Sequence, residues 1–202
     1  SSIFEEFKES FIFRIDDDEI LSPNIFKYLN KKKLLKNKVY GFKRYEVVKY
    51  DNNYYVNGPN NFIQKIYFEF LRHFGNQKIK TFINQTRTNG NTHRQYRLFF
   101  NGKNIKISTE IHTPGIDMNK INRINIFNDK CCIYHFVSII QNKQKRIHRI
   151  SNYEKIKKGS GMRFYYNYLP EEYFEISKKV NYFNSGFKTV NNNQVKDLIS
   201  IF

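Results

Sequence analysis

The chain is 202 residues long, 40% hydrophobic and 17% aromatic, and its 35 Lys and Arg outweigh 18 Asp and Glu to give a formal charge of +17. That length supports one domain with a proper core, or two small ones, and that hydrophobic share excludes a disordered chain. No apolar run reaches the ~20 residues of a membrane span and no signal peptide is visible, which points to a cytoplasmic protein with peripheral attachment to a membrane left open.

The opening IFEEFKES places Ile3, Phe4 and Phe7 on one side of a short helix. FIFRI (11–15) follows and is too apolar for a surface strand, so it reads as a central, parallel strand. Four adjacent acids, Asp16, Asp17, Asp18 and Glu19, stand where that strand ends. Ser22-Pro23 supplies an N-cap and a first-turn proline for a helix over about 23–36. VYGFKRYEVVKY (39–50) is β-branched and aromatic and predicts a strand, and DNNYYVNGPN predicts a turn-rich loop. From 61, Ile63, Ile66, Tyr67, Phe70, Leu71 and Phe74 recur at helical spacing up to Gly75.

RQYRLFFNGKNIKISTEIH carries Asn101-Gly102 between two alternating runs, which predicts a β-hairpin over 94–112. CCIYHFVS is a further apolar strand, and its adjacent Cys131 and Cys132 suit neither a disulfide nor a zinc site, so they read as buried free thiols. A basic helix over about 138–158 and a last helix from Pro170-Glu171-Glu172 complete a chain without repeat, linker or boundary. The expectation is a single α/β domain over 1–202.

The acidic cluster is the sharpest chemical feature. Four neighbouring carboxylates repel, and burying them costs several kcal/mol per ion unless a cation offsets the charge. In an extended segment Asp16 and Asp18 point to one side and can share a hard, oxygen-liganded divalent ion at the carboxyl end of a strand. The plain alternative is a solvated acidic loop ahead of the helix at Pro23. The excess of cations likewise reads either as attraction to nucleic acid, a membrane or a phosphorylated ligand, or as composition drift in a chain crowded with Lys, Asn, Ile, Phe and Tyr.

RIDDDEILSP resembles the metal-binding DxD segment of glycosyltransferases with the GT-A fold, the family 2 type in particular. GFKRYEVV is similar to the strand that follows it there, HRQYRLFFNG to the "RLF" hairpin strand, ISTEIHTPG to the returning strand, and IYHFVSIIQNKQKRIHRISNYEKI to the later histidine-bearing strand and basic helix. The order of these pieces over about 10–172 carries the likeness. It implies a partial GT-A (Rossmann-like) mixed sheet flanked by helices. It also implies a metal-dependent, inverting glycosyltransferase that uses Mn²⁺ or Mg²⁺ and a nucleotide-diphosphate sugar, with a glycan or lipid-linked acceptor.

By position the resemblance assigns Asp16 and Asp18 to the metal, with His112 and His135 as further metal or phosphate ligands. It places Asp17 in the variable middle of the motif and gives Glu19 the task of orienting it, and both stand with the substrate-binding residues. The family's usual His-Glu is here His112-Thr113, so Glu110 becomes the candidate general base for the acceptor hydroxyl. His135 reads equally as a core histidine. Arg97 is assigned to phosphate or to a structural ion pair. Arg146, with Lys143, Lys145, Arg149 and Lys155, meets phosphates or an anionic membrane, or forms a solvated face. Only 15 residues precede Asp16, whereas the family carries nucleotide-binding units ahead of its DxD. The resemblance therefore implies a carboxyl-terminal portion: a fragment, a decayed or split gene product, or a chain whose other half a partner supplies. Two further readings stay open: a non-catalytic glycosyltransferase-like binding module, and a metal-dependent nuclease.

Overall fold

A computed structural model describes residues 3–57, 62–77, 79–80, 94–102, 116–117, 121–128, 130–159, 161, 169–179, 187–189 and 195–197. The chain is α/β, with mixed strand pairing and accompanying helices, compatible with a partial Rossmann-like architecture. It forms two compact units, each discontinuous in sequence: Ser1–Arg44 with Arg94–Tyr134, and Tyr45–His93 with His135–Phe202.

The first unit opens with a one-turn helix α1 (Ile3–Glu6) and strand β1 (Phe11–Phe13), which pairs antiparallel with β5 (Arg94–Phe100). The long strand β3 (Lys38–Tyr50) runs antiparallel to β5 through its first half and parallel to β6 (Asn122–Asn125). A shorter strand, β2 (Glu19–Leu21), pairs with β7 (Cys132–His135). Helix α2 (Pro23–Lys31) lays Ile25 on a core of Tyr40, Phe42, Leu98, Ile126, Cys131 and Ile133.

FIFRI does not form a central parallel strand. Its first three residues make the half-buried β1, antiparallel to β5 and at the end of its strand order. The run is apolar on both faces for another reason. Phe11 and Phe13 pack toward the core around Phe42, while Ile12 packs toward a second cluster of Val39, Phe99 and Ile116. Period-two alternation thus serves two cores, a pattern that sequence alone cannot tell from a buried parallel strand.

Helix α2 is shorter than expected, ending at Lys31 where the run Lys31-Lys32-Lys33 stacks like charges and Lys32 turns extended. Ser22 holds the N-cap position but does not cap. Its hydroxyl donates to the Lys130 carbonyl at 2.7 Å and accepts from the Cys132 amide at 3.1 Å, tying the helix start to β7. Cys131 and Cys132 are buried free thiols, as expected, and burial raises both thiol pKa values. β5 matches the first arm of the predicted hairpin, whereas the returning arm lies outside the described residues.

In the second unit β3 turns directly into β4 (Asn53–Asn57), which pairs in turn with β8 (Phe187–Thr189), both antiparallel. The expected loop at 51–60 is therefore a two-residue hairpin through residue 57. Asp51 and Asn52 both take positive φ (48° and 59°), the pattern of a type I′ turn, which Asp and Asn tolerate better than other side chains. The Tyr50 and Tyr55 rings lie 4.6 and 4.7 Å from Phe174 of helix α6 (Pro170–Lys179). Helix α3 (Phe62–Phe74) ends where Gly75 donates its amide to the Leu71 carbonyl.

The predicted single helix at 138–158 is two: α4 (Val137–Ile140) and α5 (Lys143–Ile156). Asn142 breaks them because its side chain caps the second, accepting from the Lys145 amide at 2.9 Å. Val137, Ile150 and Leu169 form a small core beneath them.

Candidate functional site

The four acids are a reverse turn, not the extended segment that the period-two argument assumed. The Glu19 amide donates to the Asp16 carbonyl at 3.1 Å, and Glu19 Oε2 accepts from the Asp16 amide at 3.1 Å. This reciprocal pair closes the turn with Asp17 and Asp18 at its corner. Glu19 orients the motif as expected, but its side chain is wholly buried, so it is no surface for a substrate. Asp17 is exposed and Asp18 is 2% exposed.

Both ends of the turn are gripped by Arg97. Its Nη2 lies 2.7 Å from Asp16 Oδ2 and 2.9 Å from Glu19 Oε1, with the guanidinium almost fully buried. Arg44 adds a second cation 3.7 Å from Glu19, and Arg14 approaches Asp16 at 3.8 Å. Of the two roles considered for Arg97, this is the structural ion pair.

The backbone explains how Arg97 gets there. Along β5, Leu98 pairs with Tyr40 and Tyr96 with Gly41, so Arg97 is the extra residue of a β-bulge. Bulges redirect a side chain and sharpen local twist. The Arg97 carbonyl in turn accepts from the Arg14 amide at 2.8 Å, which extends β1 toward the acidic turn. Gly41 opposite makes room: a Cβ there would lie 2.8 Å from the Tyr96 ring. Arg94, three residues earlier, has a different task, donating to the Ile126 carbonyl at 2.5 Å.

The remaining assignments divide. His135 belongs to the second unit, is 4% exposed, and its Nδ1 makes a short hydrogen bond to the equally buried Glu46. That partner was not picked out in the sequence. It is buried within β3, where alternation gives no reason to single out one Glu, and only the fold brings the two together.

Arg146 corrects its expectation. It is 4% exposed on an otherwise basic helix and forks onto Glu171 at 2.6 and 3.1 Å, while Nε donates to the Gln141 carbonyl. This guanidinium ties α5 to α6 instead of facing a phosphate. Glu171 is pushed up by burial, but the Arg146 hydrogen bond, its own backbone amide and the charges of Arg146 and Lys143 outweigh that and hold its carboxyl below the usual range. Glu110 and His112 lie outside the described residues.

Among the described residues, no group of three or more His, Cys, Asp or Glu side chains is arranged to hold a metal ion. The acidic turn carries hard carboxylate oxygens, the donor type that suits Mg²⁺ or Mn²⁺, with Asp16 and Glu19 engaged by Arg97 and Asp18 buried. No helix among the described residues is long and apolar enough to cross a membrane. Comparison with family models, curated proteins and solved structures finds no match to this chain, so the site rests on its own residues.

Proposed function

We propose that this chain is a metal-dependent, inverting glycosyltransferase of GT-A type, acting on a nucleotide-diphosphate sugar and a glycan or lipid-linked acceptor. The observation that carries the reading is the braced acidic turn. Arg97, delivered by a bulge, neutralises Asp16 and Glu19 and fixes the backbone on both sides of Asp17 and Asp18. A turn held in place at both ends is the kind of scaffold that a divalent ion shared with a diphosphate needs. When bound, Mn²⁺ or Mg²⁺ would offset charge on the leaving nucleotide diphosphate. Asp16 and Asp18 would hold it from this turn, Asp16 sharing its carboxylate with Arg97. Glu110 remains the proposed base and His112 the proposed additional ligand, while His135, with its Nδ1 held by buried Glu46, keeps the core-histidine reading.

A second reading has its own support. Two of the four acids already form internal ion pairs, which is how a non-catalytic relative would retain the motif as structure. Thermal unfolding of the full chain with Mn²⁺ and a panel of nucleotide diphosphates separates the two, beside Asp18→Ala. A Mn²⁺-dependent rise in Tm with one nucleotide, lost in the variant, supports the transferase. An unchanged Tm under every condition sinks it and leaves the binding module.

A further inference from the structure

The side chains of residues 123–126 in the first unit alternate between two faces. Ile124 and Ile126 enter the core around Tyr40 and Phe42. Arg123 and Asn125 take the other face, paired in register with Val39 and Gly41 of β3. Tyr96 of β5 joins them from across β3, opposite the same Gly41.

On that face two arginines rest on aromatic rings. The Arg123 guanidinium lies 5.5 Å from the centroid of the Tyr96 ring, and Tyr96 donates its hydroxyl to Asn125 Oδ1 at 2.9 Å. The Tyr96 ring crosses over Gly41, where a Cβ would meet it at 2.8 Å. Arg94, two residues before Tyr96, lies 4.5 Å from the centroid of the Phe127 ring. Its hydrogen bond to the Ile126 carbonyl fixes it there. The contacts thus tie Arg94, Tyr96, Arg123, Asn125 and Phe127 into one patch. Phe127 is 77% exposed, and Arg123 and Asn125 also face solvent. Arg97, Arg44, Arg14 and Arg146 all hold carboxylates, whereas Arg94 and Arg123 pair with none among the described residues.

We infer that this patch binds single-stranded nucleic acid, with a base stacked on the outer side of Phe127 and a phosphate of the same strand on Arg123. Such a strand joins planar bases to regularly spaced negative charge, and proteins that hold it combine aromatic platforms with cations. The match is local: the cations here are braced on rings, and one ring stands open beside them. A lipid surface offers no planar group to stack, and one exposed ring is a poor anchor for a bilayer. An acidic peptide would meet the guanidinium edges and leave the ring without a partner. A duplex keeps its base faces stacked inside. The inference stands apart from the glycosyltransferase reading, because it does not use the acidic turn.

Fluorescence anisotropy of a labelled oligothymidylate with the full chain tests it. The wild type should bind the single strand, more weakly as salt rises, and prefer it to the duplex with oligoadenylate. Phe127→Leu keeps an apolar side chain without the ring and should weaken binding about five-fold or more, whereas Phe127→Tyr keeps the ring and the affinity. Arg123→Gln should weaken binding and reduce the slope of log affinity against log salt by about 0.7. Both residues are exposed, so either variant tests the inference alone should the other fail to fold, which circular dichroism reports. Equal affinity for the duplex overturns the inference, as does an affinity that either variant leaves unchanged. So does an equal loss in Phe127→Leu for heparin, a polyanion without bases. A wild type that ignores the strand but pellets with phosphatidylglycerol vesicles overturns it too.

Discussion

Two buried carboxylates, one in each unit, are held by different partners. Glu19 is held by Arg97 and Arg44, and Glu46 is held by His135. A guanidinium stays charged at any pH a protein meets, and its fork can serve two carboxylates at once, as Arg97 does for Asp16 and Glu19. The His135 imidazole instead meets the Glu46 carboxylate through one ring nitrogen, Nδ1. The first arrangement is a permanent clamp on a turn. The second fixes the orientation of a buried ring.

The comparison predicts its largest difference on truncation. Arg97→Met removes the charge opposite a carboxylate with no solvent access and leaves only Arg44, 3.7 Å away. The expected loss of stability is about 3–5 kcal/mol, read from the midpoint of urea unfolding. Adding Glu19→Leu to that variant should restore part of it, because the uncompensated charge is then gone. If Arg97→Met unfolds at the wild-type midpoint, the turn is not clamped and the rigid-carboxylate argument for its function goes with it.

A smaller effect is expected in the other unit. Glu46→Leu leaves a buried imidazole without one hydrogen-bond partner, whereas Arg97→Met strips a guanidinium from two carboxylates, so the loss should be about 1.5–3 kcal/mol. Glu46→Gln keeps a hydrogen-bond acceptor and should cost less. Equal losses for Glu46→Leu and Arg97→Met would erase the distinction between a two-carboxylate clamp and a single hydrogen bond.

The two sites were not equally legible. The acidic run announces itself in sequence because four like charges in succession need a physical reason. Its partner Arg97 was also visible, as one arginine of an alternating strand. What the sequence withheld was the bulge: one extra residue in β5 changes the alternation, and no residue type marks it. The His135–Glu46 pair was half legible, since Glu46 becomes a partner only when the chain returns through β7.

The hairpin at 51–52 was readable in principle, because Asp-Asn can supply two positive φ values. Weighting the whole of 51–60 as turn-forming hid the strand inside it. Ile12 misled for the opposite reason. Two cores imitate the hydrophobic run of one deeply buried strand.

The third ion pair refines the comparison at its weak end. Arg146 is as buried as Arg97, yet its partner Glu171 has a side chain 40% exposed, so solvent screens what the pair contributes. The folded carboxyl of Glu171 titrates below its ordinary range, hence the pair adds stability above the unfolded value of roughly 4.3, and that contribution is lost as pH falls through the lower folded value. Glu171→Gln should therefore leave Tm within a few degrees of wild type at neutral pH. It should also flatten the part of the Tm profile that falls in acid below about pH 4. A profile unchanged by Glu171→Gln would place the acid sensitivity elsewhere. A neutral-pH loss as large as that of Arg97→Met would mean that burial of the arginine alone, whatever its partner's exposure, sets the strength of these pairs.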